Sequence, residues 1–131
     1  MSHPLLDKHR ATLDGALNAI ATRGYWSAYN EMPSPKVYGE TAPDDGKEAF
    51  EAHLGQQFAL DQPGQNGWHG GEQSPYGIDL NVQYPVCDID ALIAAGESAM
   101  TGWQKIGADG RTGICLEILD RLNKQSFELA H

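Results

Sequence analysis

Apolar residues recur at three- and four-residue steps through the last third of the chain, and this periodicity predicts two helices. Ile89, Leu92, Ile93, Gly96, Met100 and Trp103 share one face after Asp88, whose carboxylate suits a helix N-cap. Ile106-Gly107-Ala108 interrupts the run, and Ile114, Cys115, Ile118, Leu119 and Leu122 form the inner stripe of a second helix reaching the end of the chain. No Gly, Pro or basic last turn follows Leu129, so this helix carries no stop signal and reads as part of something longer. At the other end, Leu6, His9, Leu13, Ala16, Leu17 and Ile20 predict one helix over 3–22, closed by Arg23 and a C-cap at Gly24.

The middle is less regular. A Pro33-Ser34-Pro35 break precedes a helix predicted over 44–54, capped by Asp44-Asp45-Gly46, carrying Phe50 and Leu54 and closed by Gly55. Residues 57–60 predict a brief strand, and 62–77, rich in glycine and holding two prolines, a long turn-rich loop. Ile78, Leu80, Val82 and Tyr84 alternate with Asp79, Asn81 and Gln83, the pattern of a half-buried strand. The expected class is therefore mainly α with a small antiparallel β element (α+β), formed by 57–60 and 78–84. One unit spans 1–131, with a helical extension over 1–60, a loop and strand over 61–87 and a helical pair over 88–131.

Composition alters this picture in two ways. Leu, Ile, Val and Phe make up 25 of 131 residues, a thin supply of core, and only five of them lie between Arg23 and Pro75. The middle of the chain therefore needs a surface to lie on. Residues 31–90 hold eleven acidic and two basic groups, a net of −9 that equals the charge of the whole chain. Such a field repels polyphosphates and excludes nucleic acid as a partner. No apolar run is long enough to span a membrane and the N-terminus lacks the regions of a signal peptide, so a cytoplasmic protein is expected.

Candidate chemistry is sparse. Cys87 and Cys115 match no metal or CxxC spacing. Cys115 is expected to pack as a small hydrophobe on its helix, and Cys87, beside Asp88, to be the more exposed; neither has a sequence neighbour that would activate a thiolate. Tyr25-Trp26-Ser27-Ala28-Tyr29 is expected to fasten a helix end. His69 and Glu72 fall short of a metal site, which needs at least three ligands on a rigid frame. Gly70-Gly71 is no nucleotide loop, because no strand is expected to feed directly into it and no helix to follow it. No catalytic, cofactor-binding or metal-binding residue is assigned.

Longer motifs carry a resemblance. The run Ser74-Pro75-Tyr76-Gly77-Ile78-Asp79-Leu80-Asn81-Val82-Gln83-Tyr84-Pro85, the helix from Asp88, Ala99-Met100 with Trp103, and Gly110-Arg111 with Cys115-Leu116-Glu117-Ile118-Leu119 resemble the opening of the aldehyde dehydrogenase superfamily. Ala11-Thr12-Leu13-Asp14-Gly15-Ala16-Leu17, Arg23 to Tyr29, Asp61-Gln62-Pro63-Gly64 and Gly70-Gly71-Glu72 with Ser74 to Gly77 are similar to its phenylacetic acid degradation branch. The resemblance implies a family that oxidises an aldehyde through a Cys thiolate, a Glu-activated water and NAD or NADP. It also implies that the nucleophile, the base and the cofactor-binding domain lie beyond the matched motifs, so the match supplies none of them here.

The expected role is that of a non-catalytic N-terminal segment of an aldehyde dehydrogenase-like protein, the alternative being a stand-alone binding or assembly module of the phenylacetate pathway. The resemblance implies that the last two helices pack on the cofactor domain in the family. On a chain without that domain, Leu92, Ile93, Met100, Ile114, Ile118, Leu119 and Leu122 would form an apolar association face, and a homodimer through 88–131 is expected.

Overall fold

The computed structural model describes residues 3–131. Helix α1 (Pro4–Lys8) starts with Pro4 in its first turn and His3 as N-cap, whose Nδ1 accepts from the Leu5 N–H at 3.3 Å. The single helix expected over 3–22 is divided at His9, where the backbone leaves helical values (φ −104°, ψ 16°), and α2 (Arg10–Thr22) follows. The division lets Leu6 and His9 turn onto a distant helix while α2 projects with no buried residue. The left-handed C-cap of α2 is Arg23 (φ 53°), in place of the expected Gly24.

A short helix α3 (Pro35–Tyr38), absent from the sequence reading, begins at the second proline of the Pro33–Pro35 break. Helix α4 (Ala42–Glu51) starts two residues before the predicted 44 and ends three before the predicted 54. Its N-cap position is Thr41, whose Oγ1 donates to Asp45 Oδ2 at 2.8 Å, while Asp44 and Asp45 complement the dipole within the first turn.

The sheet is two-stranded and antiparallel, as the class requires, but its strands are not the expected ones. Strand β1 (Gln65–His69) lies inside the glycine-rich stretch read as a loop, and pairs with β2 (Tyr84–Cys87) through Gly67↔Val86, Trp68↔Pro85 and His69↔Tyr84. An irregularity between Gln65 and Gly67 leaves Asn66 as an extra residue. The alternating segment 78–84 fails as a continuous strand because Asn81 adopts a left-handed conformation (φ 51°) that interrupts extension. It makes two isolated bridges instead, Gln73↔Asp79 antiparallel and Gln57↔Gln83 parallel.

Helix α5 (Ile89–Lys105) has the expected cap, Asp88 Oδ1 accepting from the Ala91 N–H at 2.8 Å. The expected turn at Ile106-Gly107 is present, with Gly107 at φ 72°. The second helix, expected without interruption over 108–130, is α6 (Gly107–Lys124) followed by α7 (Ser126–Leu129), the two divided at Gln125 (φ −99°, ψ 11°). The division swings Phe127 onto α4, where it meets Gly46 and packs edge-on against Tyr38 at 5.4 Å.

Two helix contacts organise these elements, α1 on α6 and α4 on α7, and each closes over a glycine. A Cβ placed on Gly113 would lie 2.5 Å from the Leu6 backbone N, and one on Gly46 would lie 2.6 Å from Phe127 Cβ. The face that α6 turns toward α1 is therefore Gly110, Gly113, Glu117 and Asp120, and not the Ile114–Leu122 stripe that the pattern assigned to its interior.

Among the described residues, the buried hydrophobics are Leu6 (2% exposed) and Val82 (4%). The accessible surface is 9839 Å² for 14.2 kDa. A compact monomer of that mass exposes about 6,800 Å², so the fold leaves an excess of roughly 3,000 Å² by the same scaling.

The two kinds of glycine give opposite predictions. Gly113→Ala drives a methyl into the α1 backbone, at an overpacking cost of about 1–3 kcal/mol that exceeds the roughly 1 kcal/mol gained in helix propensity. Gly96 on α5 has nothing within 4 Å of its would-be Cβ, so Gly96→Ala is expected to stabilise by about 0.5–1 kcal/mol. Urea denaturation of both variants checks this; equal signs would refute the packing assigned to α1 and α6.

Candidate functional site

The expected association face lies along α5 and α6. Leu92, Ile93 and Met100 on α5 and Ile118, Leu119 and Leu122 on α6 are all open to solvent, from 36% for Leu92 to 54% for Ile93 and Met100. Ile114 is only half-buried and so contributes less open surface than the others. Ile89 and Trp103 extend the α5 stripe. The two helices make few contacts with one another, so each stripe stands open rather than closing on its neighbour.

The cysteines exchange their expected environments. Cys115 is exposed and Cys87 half-buried, both as free thiols. The reason lies in the rotation of α6: its glycines face α1, which places Cys115 on the outer side. The aromatic cluster does not tie the helix end to the body of the protein: Trp26 folds back across Gly15 of α2 itself, while Tyr25 stays exposed and donates to Glu31 Oε1 at 2.8 Å. That hydrogen bond raises the Tyr25 pKa. Burial raises that of Tyr29, with a smaller contribution from Asp120.

The densest polar cluster joins residues about a hundred positions apart and left no signal in the sequence. Glu117 accepts from three donors: Lys8 Nζ at 2.6 Å, His9 Nε2 at 2.7 Å and Arg121 Nε at 3.0 Å. Lys8, then His9, then Arg121 hold its carboxyl well below the usual range, at about 2. Asp120 is lowered by Lys124, which bonds it at 2.7 Å and is itself raised by the pairing. His9, Glu117 and Asp120 bring potential metal-ligand atoms within 4.8 Å of one another. Lys8 Nζ sits 2.6 Å from Glu117 and 3.9 Å from Asp120, so an ammonium already supplies the positive charge that a divalent ion would bring. The cluster is a clamp between α1 and α6.

The residues also do not suit a dinucleotide. Strand β1 does feed into Gly70-Gly71, against expectation, but a Cβ on Gly70 would lie 2.8 Å from the Val82 carbonyl oxygen, so the glycine makes room for protein backbone, and no helix follows the pair to receive a pyrophosphate. Among the described residues, no helix is long and apolar enough to cross a membrane.

A crystal structure of an NAD-dependent aldehyde dehydrogenase from Burkholderia multivorans superposes on this chain with a TM-score of 0.93 at 52% sequence identity. The chain matches a segment of an aldehyde dehydrogenase fold. The likeness covers 99% of this chain and 23% of that enzyme, so the chain spans about a quarter of the neighbour's length. No family model and no curated protein matches the sequence. The neighbour supports the aldehyde dehydrogenase superfamily, and by its description it is NAD-dependent. On α6, the clamp at Glu117 and the open stripe of Ile118, Leu119 and Leu122 lie on different sides of the helix.

The clamp has a defined acid response. A carboxylate lowered from 4.5 to about 2 stabilises the fold fully above about pH 4.5, and the contribution is lost as pH falls toward 2. The protection of the amides of residues 5–9, relative to their intrinsic exchange rates, is therefore expected to fall across that window. Glu117→Gln should exchange faster at pH 7 and show no such acid step; an unchanged pH profile would contradict the clamp.

Proposed function

We propose that this chain is a non-catalytic N-terminal segment of a phenylacetic acid degradation aldehyde dehydrogenase-like protein, which as a whole oxidises an aldehyde intermediate with NAD or NADP. The observation that carries this reading is the 0.93 superposition at 52% identity over 99% of the chain. The segment's part in such a protein is structural: it offers the α5 and α6 stripes as packing surface. The roughly 3,000 Å² of excess exposure is of the size expected for a segment enclosed by a larger body. The phenylacetate assignment rests on the motifs from Ala11 to Gly77, and NAD is the cofactor favoured by the neighbour's description.

Replacing the matched portion of the Burkholderia multivorans enzyme with this chain tests the structural part. The chimera is expected to fold and retain NAD-dependent aldehyde oxidation. Deleting the gene in its host should slow growth on phenylacetic acid as carbon source and spare growth on succinate. A soluble chimera without turnover would overturn the first part, and unimpaired growth the second.

The open stripes favour a second reading, a stand-alone assembly module that pairs with a copy of itself. A standard interface removes about 800 Å² from each partner, which the exposed residues of α5 and α6 can supply. Symmetric pairing through Leu92, Ile93, Met100, Ile118, Leu119 and Leu122 then gives a homodimer. Sedimentation of the isolated chain is expected to show a dimer that Ile118→Asp converts to monomer. A wild-type chain that stays at 14.2 kDa at high concentration would rule this reading out.

A further inference from the structure

A cavity of about 430 Å³ opens between α4, α7 and the segment leading into β2, on the side of the molecule that neither the clamp nor the apolar stripes use. Its volume lies within the range of small-molecule sites, about 300–1,000 Å³. Phe50, Phe58 and Tyr84 supply aromatic wall, the buried Val82 supplies apolar surface, and His53 and Glu128 are its paired polar groups. Phe58 and Tyr84 lie 5.7 Å apart with their planes tilted by 38° rather than stacked.

Charge decides what such a cavity can hold. His53 Nε2 lies 2.9 Å from Glu128 Oε1, and the second carboxylate oxygen has no hydrogen-bond partner among the described residues. Among the described residues no Lys or Arg lines the cavity; besides His53, its other imidazole is that of His131, stacked on Phe50 at 6.3 Å. Aromatic faces are negative at their centres and attract cations, and the part-buried Glu128 carboxylate, 26% exposed, does the same. A neutral aromatic would gain the burial but would leave the carboxylate oxygen unused.

We propose that this cavity binds a small organic cation, an ammonium group carried on an aromatic or apolar body. The proposal goes beyond the aldehyde dehydrogenase reading and does not depend on it. The body fills the space against Phe50, Phe58 and Val82, and the cationic head meets Glu128 and the ring of Tyr84.

Calorimetric titration of the whole chain with benzyltrimethylammonium, benzyl alcohol and phenylacetate compares one aromatic body with three charges. The cation is expected to bind saturably and at least about fivefold more tightly than the alcohol, the effect of roughly 1 kcal/mol of cation–π and ionic attraction. Phenylacetate is expected not to bind. Glu128→Gln should remove the preference for the cation while leaving binding of the alcohol unchanged, and Phe58→Leu should weaken both ligands; circular dichroism confirms that each variant remains folded. N-acetyl-lysine amide, a free lysine head group, distinguishes the source of the ammonium: tighter binding than benzyltrimethylammonium points to a peptide side chain, weaker binding to a free amine. Equal affinity for cation and alcohol, an unaltered preference in Glu128→Gln, or no saturable binding at 10 mM would each overturn the proposal.

Discussion

The seating of α1 on the glycine face of α6 is the contact on which the rest of the arrangement depends. Gly113 allows the two backbones to approach so closely that Leu6 becomes almost fully buried, and the approach places Lys8 and His9 within reach of Glu117. Three donors converging on one carboxylate then fix the rotation of α6 about its axis. With that rotation set, the Ile118, Leu119 and Leu122 stripe has no interior left to occupy. The outward apolar face is thus a consequence of where the glycines are.

The contact of α4 with α7 repeats the device at the other end. Phe127 fills the space above Gly46 and meets Tyr38, and the divided α7 carries Glu128 to His53. Between these two glycine-floored contacts, little side chain is taken out of water, and the exposed surface of 9839 Å² reflects it. The fold uses its close contacts for tethering and leaves its long aliphatic side chains on open faces. Its likeness to a quarter of an aldehyde dehydrogenase is in keeping with that.

The acidic stretch over 31–90 acquires a second meaning in three dimensions. Along the chain it reads as a solvated face. In space three aromatic residues of this stretch, Phe50, Phe58 and Tyr84, line one cavity with Glu128, and among the described residues no Lys or Arg joins them.

The sequence by itself determined the features that are local or strictly periodic. The Asp88 cap, the span of α5, the Ile106-Gly107 turn and the predominance of helix follow from side-chain oxygens, glycine and apolar spacing that act within a turn or two. The exposed α5 stripe and the motifs resembling aldehyde dehydrogenases were equally readable. Tertiary structure alone decided which face of α6 points inward, because glycine carries no hydrophobic signal and the Glu117 clamp joins residues 108 and 109 positions apart. It decided the strand positions too: Asn81 in a left-handed conformation cancels a clear alternation, while β1 is assembled from glycine-rich chain by its partner's hydrogen bonds. It also divided the first and last helices, at His9 and Gln125, since both breaks serve contacts with distant elements that no local propensity encodes.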